Sequence, residues 1–410
     1  MSSASVVTGI GVVAPNGFGT EEYWRATCAG ENGIGPVQRF DASDYPATLA
    51  GEVPNFEAHQ HLPGKLLPQT DHMTRLALVA ADWALADAEV DEDAASPLEM
   101  GVITASSAGG FEFGQRELQH LWRDGSEYVS AYQSFAWFYA VNTGQISIRN
   151  GLKGPSGVLV TDHAGALDAL AQARRHLRKR TKLVVSGGVD GSICPWGWAA
   201  HQSTGRLSPG TDPATAYLPF DSRAQGHVAA EGGAILIMEN ADAARARGAH
   251  SYGEIAGYAA TFDPRPGTGR TPTLTRAIRN ALADAKVQPD EIDVVFADAA
   301  GIPELDALEA DAIEEVFGAN AVPVSIPKTM TGRLFAGGAA VDIAAALLSI
   351  RDGVIPPTAN VRVAPNYALD LTTDGLRRTT VRAALVLARG HGGFNSALVV
   401  RATEDTDKER

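Results

Sequence analysis

Gly154 to Asp190 reads GPSGVLVTDHAGALDALAQARRHLRKRTKLVVSGGVD. Gly157 to Thr161 is a short apolar run of strand type, and Asp162-His163 forms a tight corner. Ala164 to Arg180 is rich in Ala and Leu and predicts a helix, after which Lys182 to Ser186 returns as a buried strand. A strand–corner–helix unit lifts the corner side chain to a helix N-terminus, where free N–H groups and aligned peptide dipoles favour negative charge. Acyl-transfer chemistry places Ser or Cys at such a corner because that field helps form the anionic nucleophile. Here the corner carries His163.

Outward from this unit the chain alternates strands and helices. Upstream, Ser5 to Ala14 predicts a strand. Its Gly9-x-Gly11-x-x-Ala14 brushes against a dinucleotide fingerprint, but Pro15-Asn16-Gly17 interrupts the helix that would receive a pyrophosphate. Residues 30 to 68 read as surface loops, and Asp71 caps a helix carrying Met73, Leu76, Ala77, Ala80 and Ala84 at core spacing. Met100 to Ser106 predicts a strand, followed by a helix from about Phe111 to Trp122. Phe111, Gly114 and Leu118 share one face of that helix. A helical Gly costs about 0.5–1 kcal/mol against Ala, so Gly114 marks either a close helix contact or a space that something else needs. Tyr128, Tyr132, Phe135, Trp137, Phe138 and Tyr139 form an aromatic cluster suited to a core or a subunit interface. Downstream the pattern restarts near residue 250 with a strand at Glu254 to Ala260 and a helix at Thr273 to Ala285. The expectation is a layered α/β fold with a structural duplication, in halves spanning 1–250 and 251–410. Asp221, Arg223 and Glu231 read as one charge network beneath the corner, and Thr403 to Arg410 as a frayed tail.

The chain has 410 residues, 45% hydrophobic and 20% charged, which is a globular balance with room for a large core. A formal net charge of −14 argues against nucleic acid and anionic membranes as partners, and makes the chain alone a poor landing surface for an acidic carrier protein. Cys28 and Cys194 suit neither a disulfide framework nor a metal site. MSSASVVTGIG lacks the basic and apolar regions of a secretory signal, so a cytoplasmic location is expected, with no cofactor and no metal.

The arrangement resembles the thiolase-fold ketosynthases of type II (aromatic) polyketide synthases over nearly the whole chain. Within them it is most similar to the chain length factor, or KS-beta, subunits. The segments that carry the likeness are Val12-Val-Ala-Pro-Asn-Gly17, Pro46-Ala-Thr-Leu-Ala-Gly51, Leu67-Pro-Gln-Thr-Asp71 and Ser134-Phe-Ala-Trp-Phe-Tyr-Ala-Val-Asn-Thr-Gly144. Val185-Ser-Gly-Gly-Val-Asp190, Leu218-Pro-Phe-Asp221 and Gly393-Phe-Asn-Ser396 complete the set. The resemblance implies a thiolase-like duplicated αβαβα layered sandwich. Active members of the family condense acyl groups with one Cys and two His. Carried over, the Cys position falls on His163, the first His on Asp298 in Phe296-Ala-Asp-Ala-Ala-Gly301, and the second on Arg333 in Lys328-Thr-Met-Thr-Gly-Arg333.

The implied consequence is a vestigial site with no catalytic residue. His163 does not form a stable thioester, Asp298 is an anion where a donor is needed, and Arg333 stays charged and shuttles no proton. Chain length factors usually carry Gln at the His163 position. The imidazole is then either a plug in the vestigial pocket or a partial mimic of the amide's hydrogen bonding. The family's tunnel-gating positions match Phe111, Gly114, Leu118 and Phe135. Gly114 and Leu118 are small for a gate, which implies a tunnel longer than an octaketide needs, suited to a decaketide or longer. The resemblance implies an obligate heterodimer with a Cys-bearing ketosynthase (KS-alpha) over more than about 2,000 Å². It also implies contact with the growing polyketide chain, and with acyl carrier protein mainly through the partner. The rival reading is a stand-alone malonyl-carrier-protein decarboxylase, or another acyl-transfer enzyme on the same scaffold, using His163.

Overall fold

The computed structural model describes residues 4–90, 95–265 and 267–403. The tail expected at Thr403 to Arg410 lies, from residue 404 on, outside the described residues.

Ten strands make two copies of one pattern. In the first half they are β1 (Ser5–Ala14), β2 (Met100–Ala105), β3 (Ser156–Leu159), β4 (Leu183–Asp190) and β5 (Gly232–Asn240). In the second they are β6 (Gly253–Phe262), β7 (Val294–Phe296), β8 (Pro323–Ser325), β9 (Ala383–Arg389) and β10 (Phe394–Arg401). The first half runs in spatial order β1-β5-β4-β2-β3, with antiparallel pairing at β1–β5 and β5–β4 and parallel pairing at β4–β2 and β2–β3. The second half repeats both the order and the sense as β6-β10-β9-β7-β8. Even the irregularities repeat. β1 slips register against β5 between Val7 and Gly9, and β6 slips against β10 between Ile255 and Gly257. The halves join where β1 pairs with β6 through Val6–Glu254 and Val7–Gly253.

The helices fill the layers. α1 (His72–Asp87) covers β1 and β5, and its N-terminus is capped by Asp71, whose carboxylate accepts Met73 N at 2.9 Å. α2 (Phe111–Arg123), α3 (Gly165–Leu177) and α4 (Pro195–Ser203) follow. α5 (Leu274–Ala285) covers β6 and β10, α6 (Pro303–Phe317) flanks it, and α7 (Gly338–Asp352) comes last. α3 and α7 pack on each other and on strands of both halves, making the central layer. Every residue of α7 from Gly338 to Ile350 is buried, Asp342 and Ser349 included, as befits a helix whose other residues in that span are apolar or small on every side. Among the described residues no helix is long and apolar enough to cross a membrane.

The β1 glycines are explained here, and one expectation is corrected. Gly9 and Gly11 serve packing: a Cβ on either would collide with the Ala84 or Ala80 carbonyl of α1, and Gly257 stands in the same relation to Ala281 of α5. The 30–68 stretch is not all surface loop. Ile34–Pro36 and Leu49–Gly51 pair with each other, and Leu49–Gly51 pairs with Ala229–Ala230, in a small three-stranded sheet with Leu49, Ala50 and Gly51 buried. The residues are mostly small and flanked by turn formers, so their pairing with a strand nearly two hundred residues away left no local signal.

Candidate functional site

The corner predicted at Asp162-His163 is a single 3-10 turn, Asp162–Ala164, between β3 and α3. Asp162 sits at φ 54°, an uncommon left-handed conformation for a side-chain-bearing residue. Its carboxylate accepts the His391 N–H at 2.8 Å, which ties the corner to the β9–β10 turn. Beneath, Asp168 of α3 accepts Thr161 Oγ1 at 2.6 Å, Tyr258 OH at 2.7 Å and Ser396 Oγ at 2.5 Å, so both halves hold the base of the corner.

Three residues far apart in sequence meet at this corner. Arg333 donates Nη2 to Asp298 Oδ1 at 2.9 Å and Nη1 to the carbonyls of Asp298 at 2.6 Å and Ala299 at 3.0 Å. Its Nε lies 3.5 Å from His163 Nε2. Asp298 also accepts the Arg389 N–H at 2.9 Å. No direct hydrogen bond joins His163 to Asp298 among the described residues; the guanidinium comes between them. Lys328 donates to Ala297 O at 2.5 Å and pairs with buried Asp342 of α7 at 2.7 Å. Glu309 of α6 braces the loop by accepting the backbone N–H groups of Asp298 at 2.7 Å and Ala299 at 2.8 Å.

The charges follow from these contacts. Burial works against ionising Asp298, but Arg333 and Lys328 overcome it and hold the carboxyl well below the usual range. Burial likewise opposes the Arg333 charge, and Asp298 and Tyr217 secure it. Burial, aided by Arg333, pushes His163 down to about 4, so the imidazole is neutral at pH 7. Its ring stacks on Phe335 at 5.3 Å between centroids, and Phe335 stacks on His201 at 4.3 Å. Burial pushes His201 down to about 4 and His227 well below the imidazole range. Among the described residues no group of three or more His, Cys, Asp or Glu is arranged to hold a metal.

A pH dependence follows from the two stacked imidazoles. Their folded pKa values of about 4 lie below the unfolded value of 6.5, so only the unfolded chain takes up protons in that window. The contribution of these two histidines is complete above pH 6.5 and falls as the pH drops toward 4, by up to about 1.4 kcal/mol per unit for each, while Glu309, pushed up to about 7 by burial, acts in the opposite direction. His201→Phe, which keeps the stack on Phe335, is expected to flatten that slope. Urea midpoints at pH 7, 6 and 5 for both proteins check it, and an unchanged slope would exclude His201 as a contributor.

The second group of expected residues lies on another face. Phe111, Gly114 and Leu118 fall along one side of α2, with Gly114 buried and Leu118 38% exposed. The start of α2 is fixed to α1 by Asp71, which also accepts Phe113 N at 2.8 Å. Phe111 stacks on Trp196 of α4 at 4.6 Å, and Gln115 Oε1 accepts Trp196 N at 2.6 Å. A Cβ on Gly114 would lie 3.2 Å from Trp196 Cζ3 and 3.6 Å from Trp137 Cβ. Phe135, in the short helix Gln133–Ala136, packs edge-on against Tyr132 at 5.8 Å. Trp196 escaped the sequence reading because it is 82 residues from Gly114, with no motif around it. The aromatic cluster is mostly exposed: Tyr128 61%, Trp137 45%, Phe138 39% and Tyr139 40%. Of its two readings, the core is thereby excluded. The charge network expected at Asp221, Arg223 and Glu231 is two separate ones. Asp221 pairs with Arg223, whereas Glu231 lies beneath Arg39 and His72.

The beta-ketoacyl synthase N-terminal domain matches residues 4–243, and the C-terminal domain matches residues 252–362. The chain is 61% identical, over 97% of its length and 98% of the relative's, to the tetracenomycin polyketide synthase ketoacyl synthase beta subunit of Streptomyces glaucescens. Among solved structures it is similar to the ishigamide ketosynthase/chain length factor, at 27% identity and TM-score 0.87, covering 98% of this chain and 100% of that one. A type II polyketide synthase acyl-carrier protein in complex with its ketosynthase bound to the hexaketide matches equally well, at 26% identity and TM-score 0.87, with the same coverage. The duplicated sheet, the corner above α3 and these similarities place the chain in the beta-ketoacyl synthase family, among the beta (chain length factor) subunits of type II polyketide synthases.

Proposed function

We propose that this chain is a non-catalytic subunit that heterodimerises with an active, Cys-bearing ketosynthase. In this reading it sets polyketide length by shaping the tunnel at their interface, for a decaketide or longer. The observation that carries the reading is the state of the corner: a neutral imidazole stacked on Phe335, facing an arginine already committed to Asp298. Such a corner offers no thiol to hold an acyl chain and no free proton shuttle. The partner then supplies the condensing residues and most of the acyl-carrier docking.

The surface supports the same reading. β3 is the terminal strand of the sheet and leaves one edge of backbone groups unpaired among the described residues. The helix Val141–Asn150 packs against it, with Ile148 76% exposed, and Val160 at its end is 45% exposed. Together with the exposed aromatics after α2, these make an apolar face of the kind that an obligate partner covers. In this reading a growing chain passes Phe111, Gly114, Leu118 and Phe135 where the partner covers that face.

His163→Ala tests the reading. Reconstituted with the cognate ketosynthase, acyl carrier protein and malonyl donor, the variant is expected to make the same polyketide at a rate within about twofold of the parent, because a plug contributes packing and no chemical step. The chain alone is expected to release no carbon dioxide from malonyl-carrier protein. Decarboxylation by the isolated chain that disappears in His163→Ala would overturn the proposal in favour of a stand-alone enzyme.

A further inference from the structure

Glu112 follows Phe111 in the first turn of α2 and lies roughly 100° around the helix from it. Its carboxylate accepts Arg39 Nη2, while Arg39 Nη1 donates to Glu231 Oε2 at 3.1 Å. One guanidinium thus forks between a carboxylate on α2 and another immediately before β5. The β5 end of this bridge is fixed on all sides. The Glu231 side chain is only 3% exposed, and its other oxygen accepts Val53 N at 3.1 Å and faces His72 Nε2 at 3.2 Å. Arg39 is also held at its backbone. Glu52, just past the strand Leu49–Gly51, accepts the N–H groups of Gln38 at 3.1 Å and Arg39 at 3.2 Å. Burial opposes the Arg39 charge, but Glu231 and Glu112 more than restore it.

Two other contacts hold α2 in different ways. Asp71 accepts the Phe113 N–H at 2.8 Å, a bond to the backbone that locates the helix axis. Glu117, 5% exposed in the second turn, accepts Ser130 N at 2.8 Å. A bridge made by a side chain standing off the axis does something further: it resists turning about the axis. We propose that Arg39 is a positioning residue for chain-length control, acting through Glu112 to set the rotation of the first turn of α2 and so aim Phe111 and Gly114. The inference rests on the chain-length reading and adds a specificity determinant that lies outside the gate. It also gives the small three-stranded sheet a role, as the base from which the gate helix is held.

The test reads product length by mass spectrometry from heterodimers carrying Glu112→Gln, Arg39→Lys or both, with Gly114→Thr plus Leu118→Phe as the gate control. Lysine keeps a charge for Glu231 but lacks the fork that reaches both carboxylates. Each single variant is expected to raise the ratio of off-length to main product about threefold, the strength of one partly exposed ion pair. The double variant is expected to match the singles, because both changes break the same bridge. A merely structural loss lowers heterodimer yield on gel filtration and leaves that ratio unmoved. Should Arg39→Lys fail to assemble, Glu112→Gln decides alone, since it leaves the Arg39–Glu231 pair in place. An unchanged ratio where the gate control shortens the product, or single effects that add, would overturn this inference and spare the chain-length reading. An unchanged ratio together with an unmoved gate control would overturn both.

Discussion

Gly114→Thr combined with Leu118→Phe is expected to shorten the main product by at least one extension unit when the variant is paired with its cognate ketosynthase. The space beside Gly114 is already occupied from the far side, with Trp196 Cζ3 at 3.2 Å and Trp137 Cβ at 3.6 Å from where a Cβ would stand. Trp196 is 42% exposed but anchored on its inner side. Its ring is stacked on Phe111, and its backbone N–H is held by Gln115. The threonine branch must therefore push the indole or project past it, and either movement narrows the groove that Leu118, Trp122 and Trp196 form. Leu118→Phe alone is expected to do less, because Leu118 is 38% exposed and its larger replacement has room to turn outward. Product length is read by mass spectrometry and heterodimer yield by gel filtration, which separates a closed tunnel from a failed assembly. An intact heterodimer that makes full-length product would remove Gly114 and Leu118 from the gate.

Asp298→Ala is expected to cost about 3–5 kcal/mol of stability, the usual penalty for stranding one member of a buried ion pair. Both side chains are 4% exposed, and the aspartate also accepts the Arg389 N–H. Removing it leaves Arg333 charged with two carbonyls, Tyr217 and the His163 ring nearby but no carboxylate to neutralise it. Asp298→Leu with Arg333→Met is expected to recover most of the loss, since replacing both charges by apolar groups of similar size removes the desolvation cost. Urea unfolding of the three proteins measures this, and a single-variant loss under about 1 kcal/mol would show that the pair is not insulated from water. The acid dependence of this pair differs from that of the histidines. Asp298 has a depressed folded pKa, so its contribution is complete above the ordinary carboxyl value of 3.8 and is lost only as the pH falls through the lower folded value. Above pH 4 any acid weakening at this corner therefore belongs to His163, His201 and His227.

The His163 corner and the shared face of Phe111, Gly114 and Leu118 on α2 both rest on local patterns that are readable in the chain. Asp71 announces its helix because a cap is a matter of two or three residues. Gly9 and Gly11 show the limit of such reading: Pro15-Asn16-Gly17 rules out a phosphate loop but gives no reason for the glycines, which is that the backbone of α1, some seventy residues later, leaves no room for a Cβ. Glu231 likewise reads as a neighbour of Asp221 until the fold brings Arg39 and His72 over it.

By itself the sequence determined the strand–corner–helix unit, the alternation of layers, the restart near residue 250 and the absence of a thiol at His163. Each of these is written in side-chain periodicity or residue identity over a few turns of chain. Only the tertiary structure decided that Arg333 stands between His163 and Asp298 and that Trp196 fills the space Gly114 leaves. Those contacts join residues from 35 to 170 positions apart, and pairing over such distances is set by how two half-sheets close around α3 and α7, which no local pattern encodes.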